Sequence, residues 1–119
     1  PWDDVAGGGE PERPSLVAMQ KVAPSPVSAE ARLVSGPWGT RIEGVCRYAD
    51  KPGGSDKRYD YALYVVDTYG RRIRLSSWTA GPGETYRFTG STKVSRDHVA
   101  SAEIWGVYGG QEIRLLTLP

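Results

Sequence analysis

Between Tyr59 and Leu118 the chain alternates short apolar runs with glycine-centred turns, YDYALYVVDTYGRRIRLSSWTAGPGETYRFTG and then ASAEIWGVYGGQEIRLLTL. Side chains of a strand point alternately to opposite faces. A period of two built from β-branched and aromatic residues therefore specifies a half-buried pleated sheet. Tyr69-Gly70 and Gly109-Gly110 fall where a hairpin needs positive φ, which glycine supplies without steric cost. The pattern specifies an antiparallel all-β domain, and no catalytic constellation accompanies it. That combination favours a binding, sensing or scaffolding module over an enzyme.

Upstream the same reading continues to Ser28. Ala29 to Val34 forms a first strand, Gly36-Pro37-Trp38-Gly39 a turn, and Thr40 to Tyr48 a second strand with Ile42, Gly44, Cys46 and Tyr48 on one face. Lys51 to Lys57 is loop by composition. Tyr59 to Thr68, apolar on both faces, is a central strand. Arg71 to Trp78 and Thr85 to Thr89 follow, the latter with Tyr86 and Phe88 inward. Ser95 to His98 reads as one helical turn capped by Ser95. Ser101 to Tyr108 and Glu112 to Leu118 close the chain as a hairpin. The expected fold is an antiparallel β-sandwich of about seven strands, immunoglobulin-like, forming a single domain over 28–119. Residues 1–27, with Gly7-Gly8-Gly9, Pro11, Pro14, Pro24 and Pro26, read as a flexible Gly/Pro/Ser-rich linker or stalk. Within it, Leu16 to Val22 is suited to an edge strand, ended by the two prolines.

Charge and cysteine content exclude several functions. Fifteen basic residues stand against 14 acidic ones, interspersed, whereas a nucleic-acid binder carries a basic excess or stripe for phosphate contact. No nucleic-acid partner is expected. Cys46 is the single cysteine, so neither an internal disulfide nor a cysteine-based zinc site can form within these residues. No metal or cofactor is expected either. No apolar run is long enough to span a bilayer. The stretch PWDDVAGGGEPERP lacks the basic and apolar regions of a signal peptide. The chain reads as a soluble protein or as a piece of a longer one.

Four side-chain groups are candidates for chemistry. His98, with Asp97 beside it and Ser91, Ser95 and Ser101 nearby, suggests a hydrolase triad, but sequence neighbours on one turn diverge and no Gly-x-Ser-x-Gly elbow is present. Cys46, on the face of Ile42 and Tyr48, is expected buried as a small apolar group; a redox role needs an exposed, electropositive setting, for which Arg47 is the only local support. Counting alternation from Leu75 and Ile104 puts Trp78 and Trp105 on the opposite, outer face, where they form a candidate aromatic surface for a sugar or protein partner. The competing reading packs them in the core. Arg71, Arg72 and Arg74, with Arg114 near, form a short basic face suited to solvent, to an acidic partner surface or to an anionic wall polymer.

Several ordered motifs carry a family resemblance: Gly36-Pro37-Trp38-Gly39-Thr40; Leu63-Tyr64-Val65-Val66 with Gly70-Arg71; Ser77-Trp78-Thr79-Ala80; Thr89-Gly90-Ser91-Thr92; and His98 to Ile104 before Gly109-Gly110. Over residues 28 to 118 they resemble the C-terminal region of membrane-anchored anti-sigma factors of actinobacteria, of the zinc-finger-type class. The resemblance implies a three-part parent: a cytoplasmic helical domain that holds an extracytoplasmic-function sigma factor, one membrane-spanning helix, and an extracytoplasmic β-domain that receives a signal, a protein partner or a protease. These residues correspond to the third part. The resemblance assigns sigma binding and the membrane span to segments outside them, and it carries no catalytic or ligand residue. The alternative is an exported carbohydrate- or cell-wall-binding β-sandwich module using Trp78 and Trp105.

Overall fold

The computed structural model describes residues 13–50 and 55–119. The part of the stalk reading that covers residues 1–12, and the loop reading at residues 51–54, lie outside the described residues. Among the described residues nine strands follow one another: β1 Val17–Ala18, β2 Gln20–Lys21, β3 Val27–Gly36, β4 Gly39–Tyr48, β5 Tyr59–Asp67, β6 Arg72–Ala80, β7 Thr85–Thr92, β8 Val99–Tyr108 and β9 Gln111–Leu118. They form two antiparallel sheets, one ordered β1-β3-β4-β7 and the other β2-β9-β8-β5-β6. The expected β-sandwich is present, with seven long strands and two short pairings. The five-stranded sheet joins the β5–β6 and β8–β9 hairpins through β5 and β8, while the four-stranded sheet pairs β3 with β4 as a hairpin.

Glycine places the turns. The β8–β9 loop has positive φ at both Gly109 (60°) and Gly110 (81°), the requirement of a two-residue type I′ turn. Gly39 (φ 129°) closes the β3–β4 hairpin so tightly that a side chain there would meet the Thr92 carbonyl oxygen. The adjacent Thr40, fully buried, donates its hydroxyl to the Val94 carbonyl at 2.8 Å and ties the segment after β7 to β4. The expected helical turn is a single 3₁₀ turn at Arg96–His98. The Ser95 hydroxyl does not cap its backbone: it lies 3.0 Å from His98 Nδ1 instead, leaving the Ser95 carbonyl to accept from the His98 N–H.

The core lies between the sheets and is built from the alternation the sequence displays. β3 and β4 supply Val27, Ala29, Ala31, Ile42, Cys46 and Tyr48; β5 and β8 supply Tyr61, Leu63, Val65, Ala102 and Ile104. Small residues face large ones. The Phe88 ring lies where a Gly44 side chain would be, and Ala31 pairs with Gly44 in register. Cys46 is buried as expected, and burial pushes its thiol up to about 11, away from the thiolate that redox chemistry requires.

β-structure begins upstream of Ser28. Val17 and Ala18 pair with Ala31 and Glu30 in one sheet; Gln20 and Lys21 pair with Thr117 and Leu116 in the other. The chain changes sheets at Met19, which is buried in the core and donates its N–H to Ala29. The Leu16–Val22 edge strand thus forms as two halves, one on each sheet. Composition obscured this, because a single apolar anchor among polar residues carries no periodicity.

The β5–β6 turn is organised by Asp67. Its buried carboxylate accepts from the backbone N–H of Tyr69 (2.9 Å) and Arg71 (2.8 Å) and pairs with Arg71 Nε at 2.7 Å. Burial works to raise its pKa, but the two backbone donors and the guanidinium outweigh it and hold the carboxyl below its ordinary 3.8. A depressed carboxylate contributes stability that is fully present above 3.8 and lost as pH falls through the lower folded value. In thermal melts, Asp67→Asn is expected to lower the midpoint at neutral pH, with the gap to wild type closing in strong acid. A gap that stayed constant with pH would overturn this role.

Candidate functional site

Counting alternation along β6 misplaces Trp78. Leu63 pairs with Ser76 and Tyr64 with Arg74, so Leu75 has no opposite residue, and this bulge shifts the parity of everything after it. Trp78 consequently points into the sandwich, 7% exposed. It stacks on Tyr86 (4.8 Å, 13°) and on Phe88 (5.7 Å, 2°), and donates its indole N–H to the Tyr48 hydroxyl at 2.6 Å. Trp105 pairs with Ala62 on the outer face, as expected from Ile104. The structure does not bring the two indoles together.

Trp105 belongs to a closed polar network. The Arg72 guanidinium lies 4.3 Å from its ring and 4.0 Å from that of Tyr64, and bonds Glu112 at 2.7 Å. The Tyr64 hydroxyl donates to the other Glu112 oxygen, while Trp105 Nε1 and Arg114 both donate to Glu103. The Arg72 and Tyr64 hydrogen bonds hold the Glu112 carboxyl below its usual range. Of the basic face read from sequence, Arg72 and Arg114 are thus paired on this surface and Arg71 turns back to Asp67. On the other sheet Glu43 is held by Arg13, Arg32 and Arg41 in the same way.

His98 and Asp97 are exposed on their turn, and the hydrogen-bonding partner of the imidazole is Ser95. Among the described residues no group of three or more His, Cys, Asp or Glu side chains is placed to hold a metal ion. Nor is any helix among them long and apolar enough to cross a membrane.

The feature that sequence reading missed is a cavity of about 440 Å³ at one end of the sandwich. Four tyrosines line it: Tyr48 at the end of β4, Tyr59 and Tyr61 at the start of β5, and Tyr108 at the end of β8. Tyr48 meets Tyr61 at 4.8 Å, and Tyr108 stands edge-on to Tyr59 (4.9 Å) and Tyr61 (6.3 Å). Burial is the main cause that raises the hydroxyl pKa values of Tyr48, Tyr61 and Tyr108, so all three remain protonated donors at neutral pH. The Tyr108 ring folds against Gly106, where any β-carbon would strike it. A sequence signal was available: in an antiparallel sheet the end of β8 and the start of β5 share one edge of the fold, and all four tyrosines sit there.

Over 97 residues the chain is 29% identical to the anti-sigma-L factor RslA of Mycobacterium tuberculosis, in three strains. The relative is an anti-sigma factor. The match covers 82% of this chain, and the chain spans 38% of the length of the curated relatives it matches. The chain therefore resembles an actinobacterial anti-sigma factor through most of its length, in agreement with the motif reading. No protein-family model and no solved structure matches it.

Proposed function

We propose that this chain is the extracytoplasmic, signal-receiving domain of a single-pass membrane anti-sigma factor, and that it is non-catalytic. The observation that carries the reading is the similarity to RslA across 82% of the chain. In this reading the parent holds its sigma factor through a cytoplasmic segment outside these residues. The β-sandwich faces the opposite side of the membrane, joined to the spanning helix through the stalk. Chain that makes few contacts is where proteases cut, so loosening of the stalk would start the cleavage that frees the sigma factor.

Two measurements on the full-length parent test this. Alkaline phosphatase fused after Pro119 is expected to be active, because that enzyme requires export. The parent is also expected to retain an extracytoplasmic-function sigma factor on affinity resin, while the 119-residue chain alone does not. An inactive phosphatase fusion combined with an active cytoplasmic reporter would overturn the location. Failure of the parent to retain any sigma factor would overturn the regulatory role.

A further inference from the structure

We propose that the tyrosine-lined cavity is a binding site for a small, largely apolar molecule bearing one anionic group, and that its occupancy fastens the N-terminal strands to the sandwich. The second half deepens the regulatory reading above and takes its purpose from it; the binding chemistry stands on the cavity alone.

The volume, about 440 Å³, lies in the range of small-molecule sites. Its floor and walls are aromatic and aliphatic, from the four tyrosines together with Leu115 and Ile113. Tyrosine rings bury apolar area while presenting a hydroxyl that orients a polar substituent. Among the described residues Lys57 is the one charged side chain that lines the cavity, exposed, with its ammonium 5.3 Å from the centre of the Tyr59 ring. Among the described residues no ion pair engages it, so it is available to an incoming anion. An apolar body with a single negative group satisfies both features, whereas a cation would meet the like charge of Lys57.

The coupling follows from what forms one wall. Pro24, Ser25 and Pro26 line the cavity and follow β2 after Val22 and Ala23. Val22 N–H donates to the carbonyl of Leu115, itself a lining residue, and Ala49 N–H donates to the Pro26 carbonyl. Lys21 Nζ reaches the Ser25 carbonyl at 3.0 Å. A ligand packed against this wall therefore buries the segment that β2 depends on, while β1 and β2 themselves hold only two residue pairs each. Opening of so short a pairing is opposed by anything that binds only the docked form.

The test uses 8-anilinonaphthalene-1-sulfonate, an apolar aromatic monoanion, and its uncharged analogue N-phenyl-1-naphthylamine, titrated into the 119-residue chain with fluorescence and amide NMR as readouts. Saturable one-to-one binding of the sulfonate is expected, with shifts at Ala80, Gly81 and Leu115. Ala49→Trp fills the mouth from an exposed position and is expected to weaken both probes by at least about tenfold. Lys57→Glu is expected to weaken the sulfonate by roughly five- to tenfold and to leave the neutral probe unchanged. Saturating sulfonate is further expected to slow tryptic cleavage after Lys21 in wild type and not in Ala49→Trp. Absence of saturable binding, or binding indifferent to Ala49→Trp, would overturn the site. Equal weakening of both probes by Lys57→Glu would overturn the anionic preference, and binding without protection of Lys21 would overturn the coupling. Sigma retention by the parent is a separate readout, so failure of the anti-sigma reading leaves these results standing.

Discussion

Trp78→Ala is expected to destabilise the chain by about 3–5 kcal/mol, the cost of truncating a buried aromatic and leaving its cavity. Trp78 is stacked against Tyr86 and Phe88, so its removal strips a ring face from each. It also withdraws the indole N–H from the Tyr48 hydroxyl, deep in the core. Against a typical total stability of about 5–15 kcal/mol, this loss leaves a marginal protein. Urea unfolding monitored by circular dichroism checks it: the midpoint should fall sharply with little change in slope. A loss under about 0.5 kcal/mol, the usual size for a surface site, would mean that the indole is not packed as described.

The second large effect is expected at Gly44. A β-carbon there would run into the Glu30 carbonyl oxygen and the Phe88 ring. The carbonyl belongs to the β3 backbone and cannot rotate away, so Gly44→Ala must push the two strands apart or expel Phe88. Overpacking of this kind costs about 1–3 kcal/mol where side chains can yield, and here one of the two obstacles is fixed, so the expected loss is about 3 kcal/mol. Gly109→Ala is the control. Nothing lies within 4 Å of its β-carbon, and the cost is that of a positive φ, about 1–2 kcal/mol. If the two variants unfold at the same urea concentration, crowding at Gly44 is not what the glycine relieves.

The extent to which this fold was legible follows from how local each determinant is. Alternation along β4, with Ile42, Gly44, Cys46 and Tyr48 inward, needed no knowledge of the partner strand, and the same holds for Phe88 on β7; Tyr86, read as inward, is instead 36% exposed and covers Trp78 from outside the core. Gly109-Gly110 announced its turn through its own backbone freedom. The side to which Trp78 points did require the partner: the bulge opposite Leu63 and Tyr64 exists only in the pairing of β5 with β6, and no feature of the β6 sequence marks it. Met19 escaped notice for a related reason, since its burial depends on two different sheets meeting at one residue. The cavity was the least legible feature. Tyr48, Tyr59, Tyr61 and Tyr108 come from three strands and converge only at the end of the assembled sandwich. The family motifs fared better because several are steric necessities. Gly39 passes under the Thr92 carbonyl, Gly90 lies against Leu75, and Gly36 supports the Trp38 indole.

The pairing of β2 with β9 joins a segment near the start of the described residues to one near their end, Gln20 to Thr117. During synthesis the N-terminal segment emerges with no partner for that pairing and must wait until Leu116 and Thr117 arrive. Two residue pairs are a small return for closing a loop of that length, so the clasp cannot form before the rest of the sandwich has brought β9 into place. The N-terminal strands are therefore held only in a finished molecule. A chain that ends prematurely, or whose last strand is peeled off, is unlatched at its opposite terminus in the same event.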